Sequence, residues 1–321
     1  MYGYDVFHED LMKSLITAVR EGVNAHAYIF EGDCGLDIAN AARLFAAALT
    51  CVNSEIAPCG SCPSCIEAKA ETNPDIVFVK PDSDRKTIGT KNMRALEADA
   101  GIKPFAAKRK VYVFTDASLI TEAAQNVLLK TLEEPPEYVT FIIVAENADT
   151  LLETIRSRSV IVHFPAISEN EVRKYISENY PEANDRLDFL AKYCAGIPKR
   201  ADDIIADESF EPLRKSALEK LPLLLSQRGL DAYALQDYVA ENKDDFAQLL
   251  EFWMSFLRDL LLLQTDAASS IINIDKRAEL RSLCAKYEPQ RVVSVLDALV
   301  TAQKMAARYV NPKAITYRLA L

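Results

Sequence analysis

A chain of 321 residues, half of them apolar, is long enough for two or three domains, each with its own core. Its net charge of −10 argues against a protein that coats nucleic acid unaided, while leaving room for a local basic patch. The opening stretch to Met12 lacks the basic start and apolar run of a signal peptide, and no apolar run reaches the roughly 18 residues of a membrane helix. A cytoplasmic protein is therefore expected.

The first elements alternate. Glu9–Glu21 reads as an amphipathic helix with Leu11, Leu15 and Val19 on one face and Gly22 as its stop. His26–Phe30 is a buried strand, and Gly32–Ala39 turns from it into a helix running to about Thr50. That turn stands where a phosphate-binding loop, G-x-x-x-x-G-K-[ST], would stand. Gly32 and Gly35 supply glycines, but Asp37, Ile38 and Ala39 occupy the second template glycine, the lysine and the hydroxyl positions. A plain strand-to-helix loop with Asp37 as N-cap, and an inherited phosphate loop that has lost its ligand chemistry, are both consistent with this pattern.

Next come Cys51, Cys59, Cys62 and Cys65, four of the seven cysteines. Closely spaced thiolates with no open position suit a structural zinc ion; an iron–sulfur cluster is the nearest rival, and two disulfides are the least favoured without export. Cys34, Cys194 and Cys284 are isolated and read as packing residues. Ile76–Val79 is a second buried strand. From Arg85 to Lys110 eight basic residues (Arg85, Lys86, Lys91, Arg94, Lys103, Lys108, Arg109, Lys110) face two acidic ones, Glu97 and Asp99. Such a run is either a solvated face or a surface for a phosphate backbone or an acidic partner.

Val111–Phe114 is a further strand, followed by Thr115-Asp116, with Asp116 as a cap for a helix near Ser118. Asn126–Glu134 is a helix stopped by Pro135-Pro136. Thr140–Ala145 and Val160–Phe164 are buried strands, and between them the helix from Leu151 delivers Arg158 at its end. Beyond Pro165 the pattern is helical. Ser168 with Glu171 forms a capping box, one helix ends near Asn179 and another near Cys194, and Pro198 opens a third. From about Asp207 the chain reads as all helix. Leu249–Leu263 is apolar nearly all round, while Val292, Val295, Leu296 and Leu299 make one stripe. His8, His26 and His163 are scattered, which gives nucleophilic catalysis no support.

The stretch NVLLKTLEEPP, Asn126 to Pro136, with Ser157-Arg158-Ser159 across the next strand, resembles the clamp-loader subunits of bacterial DNA polymerase III, of the AAA+ class, where a Ser-Arg-Cys motif follows. The resemblance implies a RecA-like parallel sheet with flanking helices over 1–165, a small helical lid over 166–206 and an all-helical collar for oligomerisation over 207–321. It implies a subunit that joins delta and gamma/tau and helps place the sliding clamp on primed DNA. Arg158 would serve as an arginine finger in trans. Thr115 stands where active relatives carry a carboxylate, Glu146 and Asn147 lie near a polar sensor position, and Arg200 matches a second sensor that touches the terminal phosphate. With Asp37, Ile38 and Ala39 in the loop, the resemblance points to the non-hydrolysing member, with no ATP bound by this chain. An active ATPase motor of the gamma/tau kind and a free-standing zinc-dependent DNA-binding protein are the two other readings.

Overall fold

A computed structural model describes residues 7–82, 85–226, 229–265, 270–306 and 311–319. The first six residues, which open the stretch read for a signal peptide, and the side chain of Cys34 lie outside that set. The described chain divides into two compact units, 1–168 with 197–199, and 169–196 with 200–321.

The first unit is built on β-branched and aromatic runs that pair in parallel. β1 (Ala27–Glu31), β2 (Ile76–Phe78), β3 (Lys110–Phe114), β4 (Val139–Ala145) and β5 (Val160–His163) form one sheet in the order β2-β3-β4-β1-β5. Parallel strands buried on both faces need no alternation, and every residue of β3 and β4 is buried. Ile29 on β1 is in register with Ile143 on β4 and with Ile161 on β5. β5 pairs with β1 alone, and Val160 is 47% exposed, so this strand is an edge and not the buried strand that its composition suggests.

Helices flank this sheet. α1 (Glu9–Arg20) buries Met12, Ile16 and Val19, a stripe one residue on from Leu11 and Leu15, which are only half-buried. α2 (Ile38–Thr50) packs against β3 and β4. α3 (Pro63–Lys69) and α4 (Thr90–Ala100) come next, and α5 (Glu122–Glu133) begins under a Thr121 cap, whose hydroxyl accepts from the Ala124 N–H, and ends before the two prolines. The helix expected from Leu151 is a single turn, α6 (Glu153–Arg156), preceded by a 3-10 turn over Ala148–Thr150. This is the parallel sheet with flanking helices that the clamp-loader resemblance implied, and the rest of the described chain is largely helical as expected.

The second unit runs from α7 (Glu169–Asn179) through α8 (Leu187–Tyr193), α9 (Lys199–Ala206), α10 (Phe210–Leu225), α11 (Gly229–Glu241), α12 (Phe246–Gln264) and α13 (Arg277–Cys284) to α14 (Pro289–Ala306) and α15 (Pro312–Leu319). Lys199, the first residue of α9, groups with the first unit. α12 is the core helix: Leu249, Leu250, Phe252, Trp253, Phe256, Leu257 and Leu260 are all buried among α10, α13 and α14. Val292, Val295 and Leu299 of the α14 stripe are buried, and Leu296 is half-buried. Among the described residues no helix is long and apolar enough to cross a membrane.

An ion is buried in this apolar core. Arg214 on α10 has no exposed surface. Its guanidinium lies 3.6 Å over the Phe189 ring of α8 and donates to Asp275 through Nη1 at 2.9 Å and Nη2 at 2.7 Å, and to Asn273 at 2.9 Å. Burial acts to raise the Asp275 pKa, but the hydrogen bonds and charge of Arg214 outweigh it and hold the carboxyl below its usual 3.8. The pair therefore stabilises the fold above that value, and the contribution is lost as pH falls through the lower folded-state pKa. Removing the cation takes a donor from the buried Asn273 Oδ1 and empties the space over Phe189, while Asp275, whose side chain is 38% exposed, turns to water, so the cost is roughly 1–3 kcal/mol. Arg214→Ala should lower the urea midpoint reported by the fluorescence of Trp253, the single tryptophan, and the difference from wild type should shrink below about pH 4.

Candidate metal centre and candidate nucleotide loop

The four clustered cysteines converge. Cys51 follows α2, Cys62 caps α3 and Cys65 lies in its first turn, so one chain reversal brings them together. All four Sγ atoms lie within 4.8 Å of one another, with Cys51–Cys62 and Cys59–Cys65 both at 4.0 Å. A tetrahedral ion with Zn–S bonds of about 2.3 Å needs S–S edges of about 3.8 Å, so the set fits one ion with little movement. Backbone N–H groups of Ser61 and Cys62 hold the Cys59 thiol down to about 6, while burial pushes Cys51 and Cys65 up. A cation would replace the protons on the two buried thiols. Cys51, Cys59, Cys62, Cys65, Cys194 and Cys284 are free thiols, and Cys194 is buried as a packing residue. The reduced full chain should take up one equivalent of zinc by elemental analysis, and Cys62→Ser should abolish that uptake while the near-ultraviolet signal of the second unit is retained.

The turn after β1 is closed over its own side chains. Ile38 is 1% exposed and Leu36 2%. A Cβ placed on Gly32 would meet the Phe164 carbonyl oxygen at 2.5 Å and Ile38 Cδ1 at 2.8 Å. One placed on Gly35 would meet Ile197 Cγ2 at 2.3 Å. Asp37 takes a left-handed backbone conformation (φ 54°) before α2, and its side chain makes no cap to a helix N–H. Its carboxylate instead accepts from Asn40 Nδ2 at 2.6 Å and lies 3.3 Å from Lys199 Nζ. The N-cap reading thus holds by position and fails by hydrogen bond. Lys199, which sequence reasoning passed over for its neighbour Arg200, is the cation at the loop. Arg200 itself is exposed and belongs to the second unit, where its charge acts on Tyr193 and Cys194.

The other candidates lie along the C-terminal edge of the sheet. Asp116 accepts from the Ser118 N–H at 2.8 Å, the capping role expected of it. Asn147 likewise caps the Asp149 N–H at 2.8 Å, and Glu146 is exposed. Glu31, which drew no notice in the sequence, ties three strand ends together: it accepts from the Ala148 N–H at 2.7 Å and pairs with His163 at 2.5 Å.

Arg158 follows α6 and is half-exposed. It donates through Nη1 to the Thr154 carbonyl at 3.0 Å and through Nη2 to Glu133 at 2.9 Å. That partner, Glu133, is the first glutamate of the LEEPP run. Arg156 pairs separately with Asp149. The basic run is smaller than its composition. Lys110 is buried and lies 2.7 Å from Asp99, Lys91 pairs with Asp82 at 3.3 Å, and Arg109 donates to Thr140 at 3.1 Å. Arg85, Lys86, Arg94, Lys103 and Lys108 are the cations of the run that are both exposed and outside these pairs.

A family model described as DNA polymerase III, delta subunit, matches residues 7–168, half of the chain, and one for the C-terminal part of that subunit matches residues 210–315. The chain belongs to the DNA polymerase III delta-subunit family. It is 24% identical to the subunit delta′ of Bacillus subtilis over 317 residues, which cover 97% of this chain and 94% of the relative. With the subunit delta′ of Haemophilus influenzae it shares 26% identity over 304 residues, 94% of this chain and 89% of the relative. With the subunit tau/gamma of the same organism it shares 32% over 197 residues, 60% of this chain but only 28% of that longer relative. The resemblance drawn from Asn126–Pro136 and Ser157–Ser159 is borne out at the level of the family.

Proposed function

We propose that this chain is the non-hydrolysing delta-prime member of a bacterial DNA polymerase III clamp loader, assembling with delta and gamma/tau and helping to load the sliding clamp on primed DNA. The observation that carries this reading is the packing of Ile38 against Gly32, with the Asp37 carboxylate turned to Lys199. A phosphate loop needs a lysine at position 38, a hydroxyl at 39 and bare backbone N–H groups to hold the anion. This loop has a buried sec-butyl group (Ile38), a methyl group (Ala39) and the Asp37 carboxylate there. The 32% identity to a tau/gamma subunit favours common ancestry with the ATPase members, and the loop chemistry argues against shared activity.

On this reading 166–206 acts as the lid and 207–321 as the collar through which the subunits assemble. Zinc is the ion we assign to Cys51, Cys59, Cys62 and Cys65, because sulfurs within 4.8 Å are too close to surround several irons and sulfides but suit one tetrahedral ion. Its part here is structural, since all four positions are taken by thiolates. Arg158 is assigned as a finger that reaches a nucleotide held by a neighbour, because this chain has no phosphate of its own to serve. A guanidinium is always charged and can fork onto phosphate oxygens. Its pair with Glu133 is half-exposed, so exchanging it for a phosphate costs little.

Calorimetric titration of the isolated chain with ATP should show no micromolar binding; a micromolar affinity would overturn the reading. In the reconstituted loader, Arg158→Ala should lower DNA-stimulated ATPase and clamp loading only partly. Trans arginine fingers are worth about 10³–10⁵ at one site, but the other sites keep theirs. Arg156→Ala, which breaks only the surface pair with Asp149, should leave the rate near wild type. Wild-type ATPase in the Arg158→Ala complex would remove the finger.

A further inference from the structure

The segment that follows α4, 101–108, is the most exposed apolar feature of the first unit, with Phe105 at 86% and Ile102 at 62% exposure. Exposed apolar loops are ordinarily loose, yet this one is tied at its tip. The carboxylate of Asp75, only 2% exposed, accepts the backbone N–H groups of Phe105 at 2.5 Å, Ala106 at 2.9 Å and Ala107 at 2.7 Å. Three N–H donors on one buried carboxylate form a charge-assisted anchor, stronger than a neutral turn of the same length.

Asp75 is itself placed by a line of buried hydrogen bonds that starts inside the four-cysteine module. Ser64 lies between Cys62 and Cys65 on α3, and its hydroxyl donates to the Thr50 carbonyl, next to Cys51, at 2.8 Å. Asn73 Nδ2 donates to Ser64 Oγ at 2.9 Å and to the Ser64 carbonyl at 3.0 Å. Asn73 Oδ1 then accepts the Asp75 N–H at 2.8 Å. Thr50, Ser64, Asn73 and Asp75 are all buried. No solvent is at hand to take over a bond that breaks, so displacing one member leaves its neighbours unsatisfied. On the far side the Asp75 carbonyl accepts the Val111 N–H of β3 at 2.8 Å, which makes the sheet the second support of the same residue.

We propose that the metal module sets the conformation of the exposed 101–108 loop, through Ser64, Asn73 and Asp75. The metal draws Cys51, Cys62 and Cys65 to one point and so fixes Thr50 and Ser64, the two ends of the first bond in the line. With the ion gone nothing ties the four sulfurs to one point, α3 loses its tether to Cys51, and the line loses its origin. The loop then keeps its attachment to β3 but not the register of Asp75 that holds Phe105, Ala106 and Ala107. The inference rests on reading the four cysteines as a zinc site, and it assigns that site a task on a surface beyond its own residues.

The test is hydrogen exchange on the full chain, zinc-loaded and after chelation, with metal content measured in parallel. The amides of Phe105, Ala106 and Ala107 should exchange about tenfold faster or more once zinc is removed, while those of β3 and α12 stay protected. Asp75→Asn should give the same acceleration with one zinc per chain retained, because it cuts the line beyond the module. Unchanged exchange at 105–107 in a chain shown to have lost its zinc would overturn the proposal, since Asp75 would then hold the loop unaided. Unchanged exchange in Asp75→Asn would overturn it as well. A reduced chain that neither carries nor takes up zinc would instead overturn the metal assignment, and this inference with it; metal content tells the two failures apart.

Discussion

Between Gly32 and Ile38 there is room for hydrogen and nothing more, since a single added carbon would stand 2.8 Å from Ile38 Cδ1 and 2.5 Å from the Phe164 carbonyl. That close approach seats the end of β1 against the segment after β5, and Phe164 N–H accordingly donates to the Glu31 carbonyl at 2.7 Å. The C-terminal edge of the sheet is the place where a parallel fold ordinarily binds an anion. Here the same edge is closed by apolar packing at Ile38 and Leu36, by the Asp37–Lys199 pair and by Glu31 reaching Ala148 and His163. Asp37 and Glu31, the carboxylates at this edge, both have partners within the first unit.

Each unit also depends on buried charge for its specificity. Arg214 joins α8, α10 and the segment at Asn273–Asp275, and Asp259 accepts the N–H groups of Ile272 and Asn273. In the first unit Asp75 plays the corresponding part between α3, β3 and the exposed loop. Apolar side chains would fill the same spaces with similar stability but without direction. A carboxylate that must find three N–H groups admits one arrangement of the loop that supplies them, which is how a segment as exposed as Phe105 can hold a single course.

Several side chains changed role between sequence and structure for one reason, the identity of a distant partner. Lys110 reads as the last cation of a basic run, yet the strand that contains it directs it at Asp99, eleven residues earlier. Arg158 has Glu153 as its nearest acidic neighbour along the chain, whereas α5 and α6 bring Glu133 to it from 25 residues away. Lys199 was hidden beside Arg200 because two adjacent cations cannot be told apart until a backbone aims them. Val160 passed for a core residue because an edge strand and an inner strand have the same composition.

What the sequence determined by itself is what depends on local chemistry. Apolar β-branched runs marked the strands, Pro135-Pro136 stopped α5, the spacing of Cys51, Cys59, Cys62 and Cys65 announced a thiol cluster able to hold a metal ion, and Ile38 and Ala39 declared a loop without its lysine and hydroxyl. These signals lie within a few residues of one another and act through backbone propensity or ligand type. The tertiary structure alone decided which charges met: Asp37 with Lys199, Arg158 with Glu133, Arg214 with Asp275, and Asp75 with three backbone N–H groups some thirty residues on. Electrostatic partners are chosen by distance in space, and in a parallel sheet every neighbouring strand is reached through a crossover, so chain distance says little about them.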